Sequence, residues 1–223
     1  MLERPHVWID HVLIAVPDLA EGARKMEDAY GLRAIEGGRH PGVGTGNMIV
    51  PLGTSYLELI AVVDPGEASA SAARVARAIQ EGRTFVTWAA RTDRLLGLRA
   101  QLQRAGLKLH EPYEGARTRP DGVTLRWRSL MLTPPHESSL LPFLIEWGVT
   151  PDQHPGAMPV THPSGARGIR RLRLGDPNPA VAARQLAWLL GDEIAASTSV
   201  EPAKTAGVVA VEVDAPGGTI VIA

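Results

Sequence analysis

One pattern, written three times along the chain, limits what it can fold into. An apolar extended run leads to a helix-capping residue, then an amphipathic stretch, then a terminating glycine. The interval from cap to glycine is thirteen residues each time: Asp18 to Gly31, Asp93 to Gly106, and Asn178 to Gly191. The runs before the caps are Ile9 to Val16, Phe85 to Ala90 and Ile169 to Leu174. Apolar residues then recur at helical spacing, as in Leu19, Ala23 and Met26, or Leu95, Leu98 and Leu102, or Leu186, Leu189 and Leu190. Asp18 with Glu21 reads as a capping box, and Pro179 occupies the favoured first helical position. Each helix is followed by extended, turn-punctuated sequence: Met48 to Leu52 and Tyr56 to Val62, Thr124 to Leu132 and Phe143 to Trp147, then Val208 to Val213 and Thr219 to Ile222 around a Pro216-Gly217-Gly218 turn. The chain is therefore expected to be an α+β protein of repeated β-α-β units. Repetition of this kind specifies architecture and not activity.

The connecting segments divide it. We expect a body over residues 1–150, made of module one (6–64) and module two (83–150), a linker rich in proline, histidine and glycine over 151–168, and a C-terminal β-α-β-β unit over 169–223. The alanine-rich stretch Ala68 to Gln80 reads as a helix joining the modules. With 223 residues and 44% hydrophobic content, there is material for a real core. The formal charge of -1, from well-mixed acids and bases, offers no field to gather nucleic acid or an anionic membrane, so a small molecule is the expected partner. No cysteine is present, so any metal must be held by His, Asp or Glu. The start MLERPHVWID lacks the apolar stretch of a signal peptide, and no run is long enough to span a bilayer, so a cytoplasmic location is expected. Gly42, Gly44 and Gly46 precede a strand and not a helix, so they are no dinucleotide fingerprint; a phosphate-binding loop and a nucleophile elbow are also missing.

Particular residues in the first two units carry a resemblance. Asp10-His11-Val12-Leu13-Ile14-Ala15-Val16-Pro17-Asp18-Leu19, Gly44-Thr45-Gly46-Asn47, Tyr56-Leu57-Glu58-Leu59-Ile60, and Leu141 to Trp147 with His154-Pro155 resemble the glyoxalase-like branch of the vicinal oxygen chelate superfamily, over about residues 8–155. That resemblance implies paired βαβββ modules whose curved sheet encloses a cleft. In active members of the superfamily the cleft holds a divalent metal on residues of the first and last strands of each module, and the enzymes are lyases, isomerases or dioxygenases acting on small oxygen-rich metabolites. Other members bind a drug or metabolite without a metal.

Strand alternation puts His11 with Ile9 and Leu13, and Glu58 with Tyr56 and Ile60. A carboxylate among apolar neighbours needs a partner. His11 and Glu58 are therefore the expected metal ligands, with Glu146 as third ligand or general base; a salt-bridged glutamate and a hydrogen-bonded core histidine are the competing reading. Module two weakens the metal case, because the position counted as equivalent to His11 is Val86. One histidine with two carboxylates suits manganese or magnesium better than tight zinc. The cofactor expectation is thus a divalent metal (manganese, iron, zinc or magnesium) or none at all. His40, in a loop of glycines, is a candidate ligand, acid or base; His136, His154 and His162 read as surface or turn residues. Trp8, Trp88, Trp127, Trp147 and Tyr56 are expected to wall the pocket, with plain core packing the competing reading, and Arg126 with Arg128 to clamp an anion, although a solvated outer face explains the arginines equally. The third unit has Arg171 at the position counted from His11 and no acid in its last strand. It is expected to pack on the body or to complete a sheet in a homodimer.

Overall fold

The computed structural model describes residues 6–223 apart from 68, 120 and 135–138. The first repeat becomes β1 (Trp8–Ala15), α1 (Leu19–Tyr30), β2 (Ile35–His40), β3 (Thr45–Leu52) and β4 (Ser55–Val62). A joining helix, α2 (Ala70–Gln80), leads to β5 (Phe85–Arg91), α3 (Leu95–Arg104), β6 (Tyr113–Thr118), β7 (Thr124–Met131) and β8 (Phe143–Trp147). Asp18 accepts a hydrogen bond from Glu21 N at 2.8 Å and Gly31 adopts a left-handed φ of 62°, so α1 starts and stops where its cap and glycine dictate. Helix α3 behaves differently: its cap is Arg94 instead of Asp93, and that residue supplies no side-chain bond.

These eight strands form one curved, nearly closed sheet in the order β2-β3-β4-β1-β5-β8-β7-β6. Within each module the first strand runs parallel to the last, β1 beside β4 and β5 beside β8, and the modules join antiparallel through β1 and β5. This is the expected α+β pairing of βαβββ modules. Alternation then sorts the side chains. Val12, Ile14, Leu57 and Leu59 enter the main core, while His11, Leu13, Tyr56 and Glu58 face a cavity on the other side.

The C-terminal unit comprises β9 (Gly168–Asp176), α4 (Pro179–Leu190), α5 (Asp192–Ala196), β10 (Thr198–Pro202), β11 (Gly207–Ala215) and β12 (Gly218–Ile222). Its sheet order is β10-β9-β11-β12, with β9 parallel to β10 and antiparallel to β11. Strand β10 was not foreseen, and the first strand lies inside the sheet, so the unit is wired differently from the modules. Leu172, Leu174, Val211 and Val213 share one core with Val12 and Leu57, which buries the inner face of the unit on the body. Residues 151–168 form two short 3-10 turns, Pro151–Gln153 and Pro155–Ala157, the second packed on β3 and β4. Gly156 is needed for that approach, since a Cβ there would stand 2.4 Å from Ser55 O. No described helix is long and apolar enough to cross a membrane.

Candidate functional site

A cavity of about 240 Å³ lies between α2 and the inner face of the sheet. Strands β1 and β4 run side by side with His11 opposite Tyr56 and Leu13 opposite Glu58. The shared parity of those positions brings His11 and Glu58 to one wall, His11 Nε2 lying 3.4 Å from Glu58 Oε2. Tyr56 stacks on the His11 ring with 4.4 Å between centroids, and Phe143 meets its edge at 5.5 Å. Trp127 and Trp147 line the module-two side.

A hydrogen-bonded chain runs behind and beside this pair. His11 Nδ1 lies 2.6 Å from Asp10 Oδ1, and because a carboxylate only accepts, the proton sits on Nδ1. That leaves Nε2 aimed at Glu58. Asp10 is fully buried and also receives His154 Nε2 at 3.1 Å and Trp147 Nε1 at 3.2 Å. Burial alone would push the Asp10 carboxyl up, but the hydrogen bonds from His11 and His154 and the electrostatic pull of those two rings outweigh it and hold the group well below the usual carboxylate range. Glu58 Oε1 accepts from Asn47 Nδ2 at 2.6 Å. Asn47 Nδ2 also approaches His40 Nε2 at 3.3 Å, so the His40 Nδ1 proton is donated to Thr45 Oγ1 at 2.8 Å. Burial pulls the His40 pKa below its ordinary value, helped by the nearby charges of Arg117 and His11 and opposed by Glu58. Burial, with Glu58 and Asp10 close by, raises the Tyr56 phenol well above 10, so it stays protonated.

Of the residues singled out from the sequence, His11, Glu58, His40, Tyr56 and Trp127 line the cavity. Glu146 does not. On β8 it is Phe143, Ile145 and Trp147 that face inward, and Glu146 points the opposite way, where Oε1 accepts from Leu95 N at 3.3 Å and Oε2 lies 3.5 Å from Arg128. It thereby supplies the cap that α3 lacks, a favourable place for a carboxylate. The offset is one residue, and a one-residue slip changes the face. Pairing Tyr56-Leu57-Glu58 with Phe143-Leu144-Ile145 puts Ile145, and not Glu146, opposite Glu58 in the other module. Trp88 is core, its Nε1 bonded to Leu140 O at 2.8 Å. Arg126 and Arg128 are exposed on the outer face of β7. His40 belongs to a strand instead of a loop. His154 and His162 are buried, the latter donating from Nε2 to Pro51 O at 2.6 Å; His136 lies outside the described residues. Asp10, Asn47 and Arg117 are the site residues that the sequence reading did not assign. Arg117 had a signal: Glu36-Gly37-Gly38-Arg39 and Glu114-Gly115-Ala116-Arg117 are one repeated phrase on the outermost strands.

The resemblance implies a divalent metal, and the donors can be tested against it. The bond from His11 Nδ1 to Asp10 is the kind of outer support that a metal-binding histidine uses. Beyond His11 and Glu58, however, the module-two wall offers Val86, Thr87 and Ile145. Among the described residues no group of three or more His, Asp or Glu converges to hold an ion. Asn47 Oδ1, a buried acceptor with no partner, does not extend the set: a Cβ on Gly37 would lie 2.1 Å from it, so it packs against the β2 backbone. The residues do not fit a resident metal.

Comparison with known proteins agrees with this architecture. A protein from Staphylococcus aureus solved as a hypothetical protein superposes with a TM-score of 0.74 at 14% identity, covering 90% of this chain and 88% of that one. Methylmalonyl-CoA epimerases from Streptomyces coelicolor (20% identity, 63% of this chain and 97% of that one, TM-score 0.47) and Mycobacterium tuberculosis (22%, 66% and 91%, 0.46) are more distant. At such identities the likeness concerns fold alone. No curated protein matches the chain. A family model, described as a glyoxalase-like domain, matches residues 9–190 and so runs from β1 through the 151–168 segment to the end of α4. The chain belongs to the glyoxalase-like domain family of the vicinal oxygen chelate superfamily.

Proposed function

We propose that the protein is an enzyme of the isomerase or lyase kind that moves a proton on a small, oxygen-rich metabolite held in this cavity. The observation that carries the reading is the buried Glu58 carboxylate, turned toward the cavity with His11 Nε2 3.4 Å away and Asp10 behind it. Buried ion pairs are a weak source of stability and costly to maintain. Where such a cluster borders a cleft, acid–base chemistry is the function it serves best. Glu58 Oε2 takes a proton from the carbon next to a substrate carbonyl, with the unprotonated His11 Nε2 3.4 Å from that oxygen to share it. Asp10 keeps the imidazole turned, and Asn47 fixes the other Glu58 oxygen. Returning the proton from Glu58 to the adjacent carbon on the same face gives isomerisation; expulsion of a leaving group from that carbon gives a lyase.

A metal-dependent form of this chemistry, dioxygenase activity included, draws on the resemblance alone, and the donor set lends it no support. A second reading, binding without turnover, is favoured by one feature: Glu58 Oε1, Asn47 Nδ2, His40 and Thr45 Oγ1 are already hydrogen-bonded in one chain. We also propose a cytoplasmic protein without nucleic-acid or membrane partners, supported by its balanced charge, and a homodimer, which light scattering tests.

The test incubates a panel of small α-oxo and α-hydroxy acids and esters with the protein in deuterium oxide and follows them by NMR. Deuterium should enter beside the carbonyl of at least one compound, and Glu58→Gln should abolish this while remaining folded. A compound that binds yet neither exchanges nor turns over establishes the binding reading instead.

A further inference from the structure

Arg117, on β6, is only 5% exposed and lines the cavity. A guanidinium carries five N–H donors and a charge that burial strips of water, so it needs acceptors and a counter-charge. One NH1 hydrogen is donated to Gly37 O across the gap between β6 and β2, the two outermost strands of the sheet. No described carboxylate is paired with it. Arg119, two residues on, is paired with Asp121, and Arg173 with Glu201, so this chain does neutralise other partly buried arginines. Glu58 acts on Arg117 only through space, its oxygens being engaged by Asn47 and His11. The sole sealed side-chain polar atom without a partner among the described residues is Asn47 Oδ1. The remaining Arg117 N–H groups are therefore not sealed in the core; they open to the cavity.

The rest of the cavity specifies what accompanies an acceptor. Leu13, Ile60, Phe143, Ile145 and Trp127 make its walls largely apolar. Its volume, about 240 Å³, is below the roughly 300–1,000 Å³ of pockets that take drug-sized ligands. We propose that the cavity takes a small organic monocarboxylate, its carboxylate forked on Arg117 and its apolar body against Phe143 and Trp127. Planar, bidentate pairing is what a guanidinium offers and an ammonium does not. The carboxylate is the recognition handle and not the reacting group. This deepens the acid–base reading above and rests on the same cavity, while adding a ligand class that reading does not require.

The experiment measures binding of phenylacetate, benzoate and isovalerate against phenylacetamide, benzamide and isovaleramide by calorimetry on the full chain. At least one acid should bind about tenfold or more tightly than its amide, the difference expected for charge-assisted hydrogen bonds. Arg117→Gln should erase that preference. Because it also removes the bond to Gly37, Arg117→Lys is measured beside it: charge is kept, the fork is lost, and the preference should fall to a few-fold. Amides that bind as well as acids, no binding by any acid, or an undiminished preference in Arg117→Lys would each overturn the proposal. Acid preference without deuterium exchange sinks the catalytic reading alone; exchange indifferent to ligand charge sinks this one alone.

Discussion

Replacing Asp10 by Asn tests the buried chain with a single atom changed. Asp10 is fully buried and receives three N–H donors, from His11 at 2.6 Å, His154 at 3.1 Å and Trp147 at 3.2 Å. An amide keeps one acceptor oxygen but turns two hydrogens toward these donors, so at least one donor loses its partner. His154 cannot adapt by exchanging tautomers, because its Nδ1 already accepts from Gly156 N at 3.1 Å. Breaking a buried charged pair costs about 3–5 kcal/mol. At about 2–4 °C per kcal/mol for a chain of this size, Tm should fall by roughly 6–20 °C. The pH dependence gives a second signature. The folded-state pKa of Asp10 is depressed, so its contribution is fully present above about pH 4, the unfolded value, and is lost as pH falls toward the folded one. Urea unfolding across this range should show wild-type stability dropping below pH 4 and a flatter profile for the variant. An Asp10→Asn protein within about 1 kcal/mol of wild type at pH 7 would refute the reasoning, since a fully buried carboxylate with three donors cannot be lost so cheaply.

Glu146→Gln should cost about 1 kcal/mol or less, the range of a helix cap plus a partly exposed ion pair, and leave ligand binding unchanged; calorimetry showing lost binding would return Glu146 to the cavity. His40 should titrate below about 6.5 by NMR. Its folded pKa is lowered, so the unfolded chain binds more protons just below that pH, and this histidine makes stability decline as pH drops from about 6.5 toward its folded-state value. Protein purified without a histidine tag should contain metal well below one equivalent and keep its Tm in a chelator; stoichiometric metal whose removal lowers Tm contradicts the reading of the donor set.

The elements legible in the sequence were those with internal periodicity. Helix α1 could be placed to the residue because Asp18 and Gly31 encode its two ends, and β1 and β4 to within one residue because each is a mostly apolar run. The strands overlooked, β2, β6 and β10, all lie at sheet edges. An edge strand shares only one side with a neighbour, and segments such as Ile35–His40 (IEGGRH) and Tyr113–Thr118 (YEGART) carry glycine and charge instead of an apolar stripe. At the site, parity within one strand pair was enough to bring His11 and Glu58 together. Glu146 was misplaced because a glutamate at a strand end matched in composition while its register differed by one. His154 and His162 were out of reach for another reason: their burial depends on the 151–168 segment folding against distant parts of the chain, contacts that no local pattern records.

Both proposals for this cavity require a small molecule to sit in the space between His11, Glu58 and Arg117. The chain has only two phenylalanines and three tyrosines, so intermolecular NOEs from a bound ligand to aromatic rings are readily assigned. With phenylacetate at saturation, ligand protons should show NOEs to the rings of Phe143, Trp127 and Tyr56. NOEs confined to the exposed Trp8 or Trp188 would place the ligand on the surface and contradict the account.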